Sequence, residues 1–448
     1  MGFVTSLGSF NVFHATASAV YNVSLGMSPG LISIVLFVQR AWDALLSPFV
    51  GHYSDNLRTR YGRRRPMLAV SILPLAVTFA ALWLFPRSMG RDTLFWYMIA
   101  WSVFFCTARA VYGIPLIGLQ AEATSDYHER TRLSGLTQVF FFAFAILPNW
   151  LFALAQGPLF VDPIQGFHRI GITLAVFFFL AGLLPIFYCR EKLYASVSAK
   201  HANASLAQHA KAIFSNRPFA VLLATTLVCN FGYHVVNILG MYANFYYVYG
   251  GDIKGAAIMQ GWTGTAFQLM AVVSAFAYPR ISAVVGKRGA LLLAMVVLMA
   301  GSLSKWVLYQ PHHPWLQVIV SCTNSFAMTG VSVLALSMMA DTVDFAELTS
   351  GERNEGLYAS ALQICERIGY SIGTLLSGFV LSGIGFNVRL LGNQSPETLQ
   401  LMRLLYVAFP FIGALGGAII LLRYPLTETK VYAITAELDR RRETSVSA

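Results

Sequence analysis

Apolar residues run along this chain in blocks of about 20, each long enough as a helix to cross a ~30 Å hydrocarbon core. Twelve blocks are read: Phe3–Ser24, Leu31–Tyr53, Met67–Phe85, Leu94–Leu119, Leu133–Ala155, Ile170–Cys189, Phe219–Val248, Ala256–Ala277, Ala290–Leu308, Trp315–Met339, Leu357–Leu381 and Leu404–Leu422. Most are separated by short stretches that end in Pro, Gly or polar residues, which mark turns. The exception is the polar run from Arg190 to Arg217, with Lys192, Lys200 and Lys211, and it divides the blocks six and six. The pattern predicts an all-α membrane protein of twelve transmembrane helices. An N-terminal six-helix bundle takes residues 1–189, a cytoplasmic linker 190–217, a C-terminal bundle 218–424 and a cytoplasmic tail 425–448.

Composition agrees with a chain whose solvent is mostly lipid. Of 448 residues, 56% are hydrophobic and 11% charged, and the mean hydropathy is +0.60. Soluble domains carry about 25% charged residues. The net charge of +11 calls for no nucleic acid, because membrane proteins concentrate Lys and Arg in cytoplasmic loops. With both termini inside, 21 of the 31 Lys and Arg fall in inner segments. Arg87, Arg91, Arg169, Lys254, Arg389 and Arg403 fall outside, and four lie in spans. That asymmetry predicts N-in, C-in. Cys106, Cys189, Cys229, Cys322 and Cys365 lie in or beside apolar runs without metal-ligand spacing, so they read as reduced core residues. The first block lacks a basic n-region and contains Asn11, His14 and Asn22, so it reads as a span rather than a signal peptide.

The two groups of six echo each other. GRRRP from Gly62 follows the second block, and GKRG from Gly286 follows the eighth. Glu122, Asp126 and Glu129 follow the fourth, and Asp341, Asp344 and Glu347 follow the tenth. Parallel repeats produce such matched loops and place a binding site at their interface near mid-membrane.

Charge within a span costs roughly 2.5–3.5 kcal/mol at the helix centre on insertion scales, so each instance is a functional candidate. Asp43 lies near the middle of the second block, with Arg40 and Ser47 on the same helix face. Its functional reading is a cation or proton site; its structural reading is an internal pair with Arg40. A carboxylate with a Ser on the next turn offers oxygen ligands to a hard cation, which favours the first. Arg109 and Arg367 present planar, directional donors suited to sugar hydroxyls or a carboxylate; the alternative is that each pairs with Asp43 or Glu366. Trp42, Tyr112, Gln138 and Gln363 complete the expected substrate set, as aromatic and amide positions within spans. Tyr233, His234 and Asn237 are further polar or aromatic spots, and His14 and His234 are possible relays. Lys305, close to a span end, is expected to snorkel to the interface.

Arg58, Arg60, Arg63, Arg64 and Arg65 form a dense basic loop. One reading is topological: the loop is held inside. The other is gating, with Asp55, Arg58, Arg63 and Arg64 pairing across the halves with helix termini and with Asp341, Asp344 or Glu352. No metal spacing and no Ser/His/Asp grouping points to an enzyme.

Three stretches carry a family resemblance. RAWDALLSPFVGHYSDNLRTRYGRRRP from Arg40, MADTVDFAELTSGERNEGLYASALQICERIGYSIGTLLSGFVL from Met339, and LLRYPLTETKVYAITAELDRRR near the C-terminus resemble the glycoside–pentoside–hexuronide cation symporters. These are the melibiose permease relatives within the major facilitator superfamily. The resemblance implies the major facilitator fold, alternating access and cation-driven import of a sugar, glycoside or sugar acid. By position, Asp43 matches the family's cation-site acid and Arg367 falls where the family has a Lys linking cation and sugar sites. Tyr112, Gly113 and Pro115 fall where the fourth helix meets sugar. The second acid of the family's sodium site is replaced by Ser47, preceded by Leu46. The sugar-binding Asp and Arg of the fourth and fifth helices align with Gly113 and Gln138.

These departures make proton coupling, or uniport, the expectation rather than sodium, with Asp43 and Ser47 as the coupling residues if a cation is carried. No cofactor is expected. The expected partners are a sugar-like small molecule and the bilayer, with the chain a monomer in a cell membrane, the bacterial inner membrane. A lysolipid or other amphiphile on the same fold is the alternative cargo.

Overall fold

The architecture comes from a computed structural model, which describes residues 1–59, 62–86, 88–121, 127–189, 215–351, 355–390 and 392–446. The α-helices are α1 (Ser9–Ala17), α2 (Pro29–Asn56), α3 (Arg65–Ala81), α4 (Arg91–Ala121), α5 (Tyr127–Ala145), α6 (Leu147–Ala155) and α7 (Pro163–Tyr188). There follow α8 (Arg217–His234), α9 (Asn237–Tyr242), α10 (Ile253–Leu308), α11 (Gln317–Ser350), α12 (Glu355–Gly383), α13 (Pro396–Leu421) and α14 (Glu428–Val446). Among the described residues nine helical runs are long and apolar enough to cross a membrane. One of them, α10, holds two spans divided at Gly286. With the shorter α3 and the N-terminal run through α1, the twelve expected spans are accounted for.

Several spans start by one device. Ser28, Asp162 and Ser395 each precede a proline at the first helical position and accept the N–H of Leu31 (3.4 Å), Gln165 (2.7 Å) and Thr398 (3.2 Å). Asn216 does the same for Phe219 at 3.2 Å, with Pro218 in the first turn. The side chain satisfies one orphan donor of the helix end, and proline needs none there. The fifth block is not continuous: α5 ends at Ala145 and α6 starts at Leu147, where Pro148 supplies no N–H to the ladder.

The sequence echo has structural counterparts. Gly62 (φ 106°) and Gly286 (φ 72°) both take the positive-φ conformation in their basic loops. Each half's first span also carries a π-helical segment, Ser18–Ser24 in one and Ala243–Val248 in the other.

The chain forms two compact units. The first comprises Met1–Lys200 with Gly251–Gly264 and Gly378–Gln394; the second comprises His201–Gly250, Thr265–Ser377 and Ser395–Ala448. In the first, Phe79, Trp83, Phe167 and Phe178 build an aromatic core, with Trp83 stacked on Phe167 at 5.5 Å and Phe79 edge-on to Phe178 at 5.1 Å. Gly171 gives Trp83 its room, since a Cβ there would meet the indole at 2.7 Å. Trp262, at the start of α10, stands edge-on to Trp150 of α6 at 5.3 Å. The second unit's core includes Tyr278, Leu298, Met338 and, from α14, Ile434 and Leu438. The tail is thus a docked amphipathic helix.

Candidate functional site

In the first unit α2 and α4 pack along much of their length. α2 brings Arg40, Trp42, Asp43 and Ser47, and α4 brings Thr107, Arg109 and Tyr112. The Arg109 guanidinium donates to the Asp43 carboxylate, forming an ion pair between the helices. Both side chains are largely buried, 11% and 16% exposed. The guanidinium also lies 4.6 Å from the centroid of the Phe10 ring, and Arg40 lies 4.8 Å from the same centroid. One aromatic residue of α1 therefore serves two cations, whose attraction to its face strengthens when water is excluded.

The ion pair sits in a fixed frame. The Trp42 indole N–H donates to Thr107 Oγ1 at 2.9 Å, one residue from Asp43 on α2 and two from Arg109 on α4. Thr107 in turn donates to the Val103 carbonyl at 2.9 Å. Ser47 donates to the backbone carbonyl of Asp43 at 2.7 Å, so its hydroxyl hydrogen is held by the helix. His14 packs 4.3 Å from the Phe10 ring, and Gln39 on α2 is fully buried.

The remaining expected substrate residues are dispersed. Tyr112 is fully buried and donates to the Gly182 carbonyl at 2.9 Å, a contact between α4 and α7. Gly113 follows it because Ser6 lies where a side chain would begin. Gln138 is exposed on α5. Gln363 and Arg367 are exposed on α12 in the second unit, with Glu366 less so. There His234 packs against Tyr370 at 4.5 Å. The side chain of Asn237 lies outside the described residues.

The basic loop is partly built into the fold. Arg64 is buried beside Gly118, where any side chain would collide with the guanidinium. Arg65 donates through Nε to the Ile186 carbonyl at 3.0 Å, capping the end of α7. Arg58 is exposed and Arg63 half-buried. In the second unit Lys287 Nζ donates to both Asp341 oxygens, at 2.6 and 2.8 Å, so in this structure Asp341 pairs with the basic loop of its own unit. Asp344 is half-buried. The Asp55 side chain, Arg60, Glu122, Asp126 and Glu352 lie outside the described residues.

Lys305 corrects an expectation. It does not snorkel: it is 2% exposed inside the second unit. Its Nζ donates to the Tyr406 carbonyl at 3.3 Å and lies 4.0 Å from the Tyr406 ring centroid, beside a Tyr309–Tyr406 hydroxyl contact of 3.0 Å. Nearness to a span end gave no sign that α13 closes over it. Phe10 and Thr107 were also missed; an aromatic and a hydroxyl in apolar spans carry no local signal.

Apolar spans packed around an interhelical ion pair are the build of a polytopic membrane protein. The chain belongs to the family described as MFS/sugar transport protein, which matches residues 2–428. It is 24% identical to the isoprimeverose transporter of Lactiplantibacillus pentosus, covering 93% of this chain and 85% of that protein. It is also 24% identical to the glucuronide carrier protein homolog of Escherichia coli K12, covering 94% and 90%. Among solved structures, the bacterial homolog of the human lysosomal transporter Spinster, inward-facing and unoccupied, shares the fold with a TM-score of 0.70. That match has 13% identity and covers 94% of each chain.

Proposed function

We propose that the chain imports an acidic sugar together with one proton, with the Asp43–Arg109 pair as the coupling device. The ion pair is the observation that carries this reading. A proton taken up by Asp43 releases Arg109, and the freed guanidinium offers a planar set of donors to a carboxylate or sulfonate. When the sugar leaves, Arg109 returns to Asp43 and the proton departs. A carboxylate already held by a guanidinium has little charge left to offer a sodium ion, which supports the proton.

Charge balance argues for the acid. The empty pair sums to zero. Protonating Asp43 beside Arg109 adds one positive charge to a site where Arg40 already stands, and a sugar anion offsets it. A neutral sugar would leave the charge in an apolar bundle, at a cost of about 2.5–3.5 kcal/mol. The resemblance to a glucuronide carrier homolog supports the same class. The distribution of Lys and Arg supports both termini inside, and the single chain is taken as the working unit. The Lys287–Asp341 and Arg65–Ile186 contacts are those we expect to loosen in each cycle.

One proton with one monoanion moves no net charge, so a pH gradient drives this carrier and a membrane potential alone does not. The test is uptake of a hexuronide into proteoliposomes under an imposed pH gradient, a potassium–valinomycin potential or a sodium gradient. Accumulation under the pH gradient alone, lost in Asp43→Asn, is the expected result. Accumulation driven by sodium, or of a neutral glycoside by potential alone, would overturn it, as would transport of a lysolipid in place of sugars.

A further inference from the structure

The second unit holds a cavity of about 540 Å³ in which the Asp43–Arg109 site has no part. Its walls are the turn around Gly286, the Asp341 region of α11 and the stretch from Tyr424 into α14. Each wall lies at a helix end: α10 breaks at Gly286, α13 has ended at Leu421 and α14 begins at Glu428. Spans end where the bilayer ends, so the cavity sits at headgroup depth. Exposed apolar side chains belong to its lining, Val285 at 52% and Tyr432 at 69%.

Four charged side chains line the cavity, two of each sign. Lys287 and Asp341 satisfy each other. Arg288 gives Nη2 to the Leu422 carbonyl at 2.7 Å, while its Nε is buried without an acceptor among the described residues. Tyr424 is 4% exposed, and its hydroxyl finds no hydrogen-bond partner among the described residues. Burial, with the Asp341 charge near it, pushes the Tyr424 phenol up, so the hydroxyl keeps its proton and remains a donor. Glu428 lines the same cavity: a Cβ built on Gly286 would meet its Oε2 at 3.3 Å. Two buried donors without acceptors among the described residues, lining one cavity with a carboxylate, call for a ligand that carries both signs.

We propose that this cavity is the headgroup site of a zwitterionic phospholipid bearing a primary ammonium, its phosphodiester held by Arg288 and Tyr424 and its ammonium by Glu428. An anionic headgroup would place uncompensated negative charge opposite Glu428. A choline headgroup has no N–H to give that carboxylate. The exposed apolar lining takes the acyl chains.

The test uses the full chain, purified and delipidated, with native mass spectrometry and thermal unfolding as readouts. The probes are phosphatidylethanolamine, phosphatidylcholine, phosphatidylglycerol and soluble glycerophosphoethanolamine. We expect phosphatidylethanolamine to be retained and to raise the unfolding midpoint. Arg288→Gln and Tyr424→Phe each weaken its binding by about tenfold, the loss of one strong hydrogen bond. Glu428→Gln removes the preference over phosphatidylglycerol. Tyr424→Phe keeps the buried ring, so it tests the site even if Arg288→Gln folds poorly. Equal retention by the wild type and both donor variants would overturn the proposal. So would a wild-type preference for phosphatidylglycerol, or equal protection by the soluble headgroup, which would point to a free phosphoester. The sugar assignment stands or falls separately.

Discussion

Trp42 on α2 donates its indole N–H to Thr107 on α4 at 2.9 Å, adjoining the Asp43–Arg109 ion pair that joins the same two helices. The contact fixes the register in which carboxylate and guanidinium meet. Thr107→Val keeps the shape and removes the acceptor. We expect a loss of about 1 kcal/mol in stability and a larger fall in transport than in folded yield, read by thermal unfolding beside an uptake assay. Unchanged transport would mean that the register is set elsewhere.

Removing one member of the ion pair strands the other. Asp43→Asn leaves Arg109 without its anion in an apolar bundle, and Arg109→Gln does the reverse to Asp43. Each single change should cost about 3–5 kcal/mol. The double variant should be less destabilised than the two effects summed, by about 1–3 kcal/mol of coupling. Thermal or denaturant unfolding of the four proteins measures this. Additive effects would show that the pair contributes nothing jointly.

How much of this was legible in the sequence differs from residue to residue. The spans were, because about 20 apolar residues in a row have few other uses. The helix starts at Ser28, Asp162 and Ser395 were, in principle, because a capping residue followed by proline acts through local geometry. Asp43 stood out because a carboxylate in such a run is costly. Its partner did not: Arg40 is a neighbour along the helix, whereas Arg109 reaches Asp43 only when α2 and α4 pack. Spacing within one helix carries no information about which helix lies beside it. The same limit applies to Lys305, whose burial depends on Tyr406, about a hundred residues further along the chain.

Close packing at the start of α10 also yields a test. In the first unit Gly261 leaves room for the Trp150 ring, with a Cβ there 2.6 Å from it, and Gly264 lies directly against Asn149. Gly378 similarly admits Ser33 and the Pro29 carbonyl, a Cβ there falling 2.5 Å from that oxygen. These contacts lie within the first unit and join segments that the sequence assigns to different groups of six spans, so we expect a transport cycle to open and re-form them. Gly264→Leu should abolish uptake while far-UV circular dichroism and expression stay normal, with Gly264→Ala intermediate. Full activity in Gly264→Leu would show that this contact does not need to close.

Lys305 gives the sharpest contrast between folding and function. Its ammonium has one carbonyl and one ring face for company, and among the described residues no carboxylate forms a salt bridge with it. Two of its three donors therefore have little to bond, in surroundings that penalise charge. Methionine has nearly the same length and no charge, and suits an irregular apolar space. Lys305→Met is expected to hold stability or raise it by about 1 kcal/mol or more, as replacement of buried charge by apolar groups of similar size often does. Lys305→Glu, which sets a carboxylate against the Tyr406 carbonyl, should lower the unfolding midpoint sharply. Uptake measured on the same proteins then assigns the residue. A stable Lys305→Met that has lost transport shows that the lysine is kept for the cycle and costs the fold. A Lys305→Met variant that unfolds at lower temperature shows that the carbonyl and ring contacts outweigh the burial of charge.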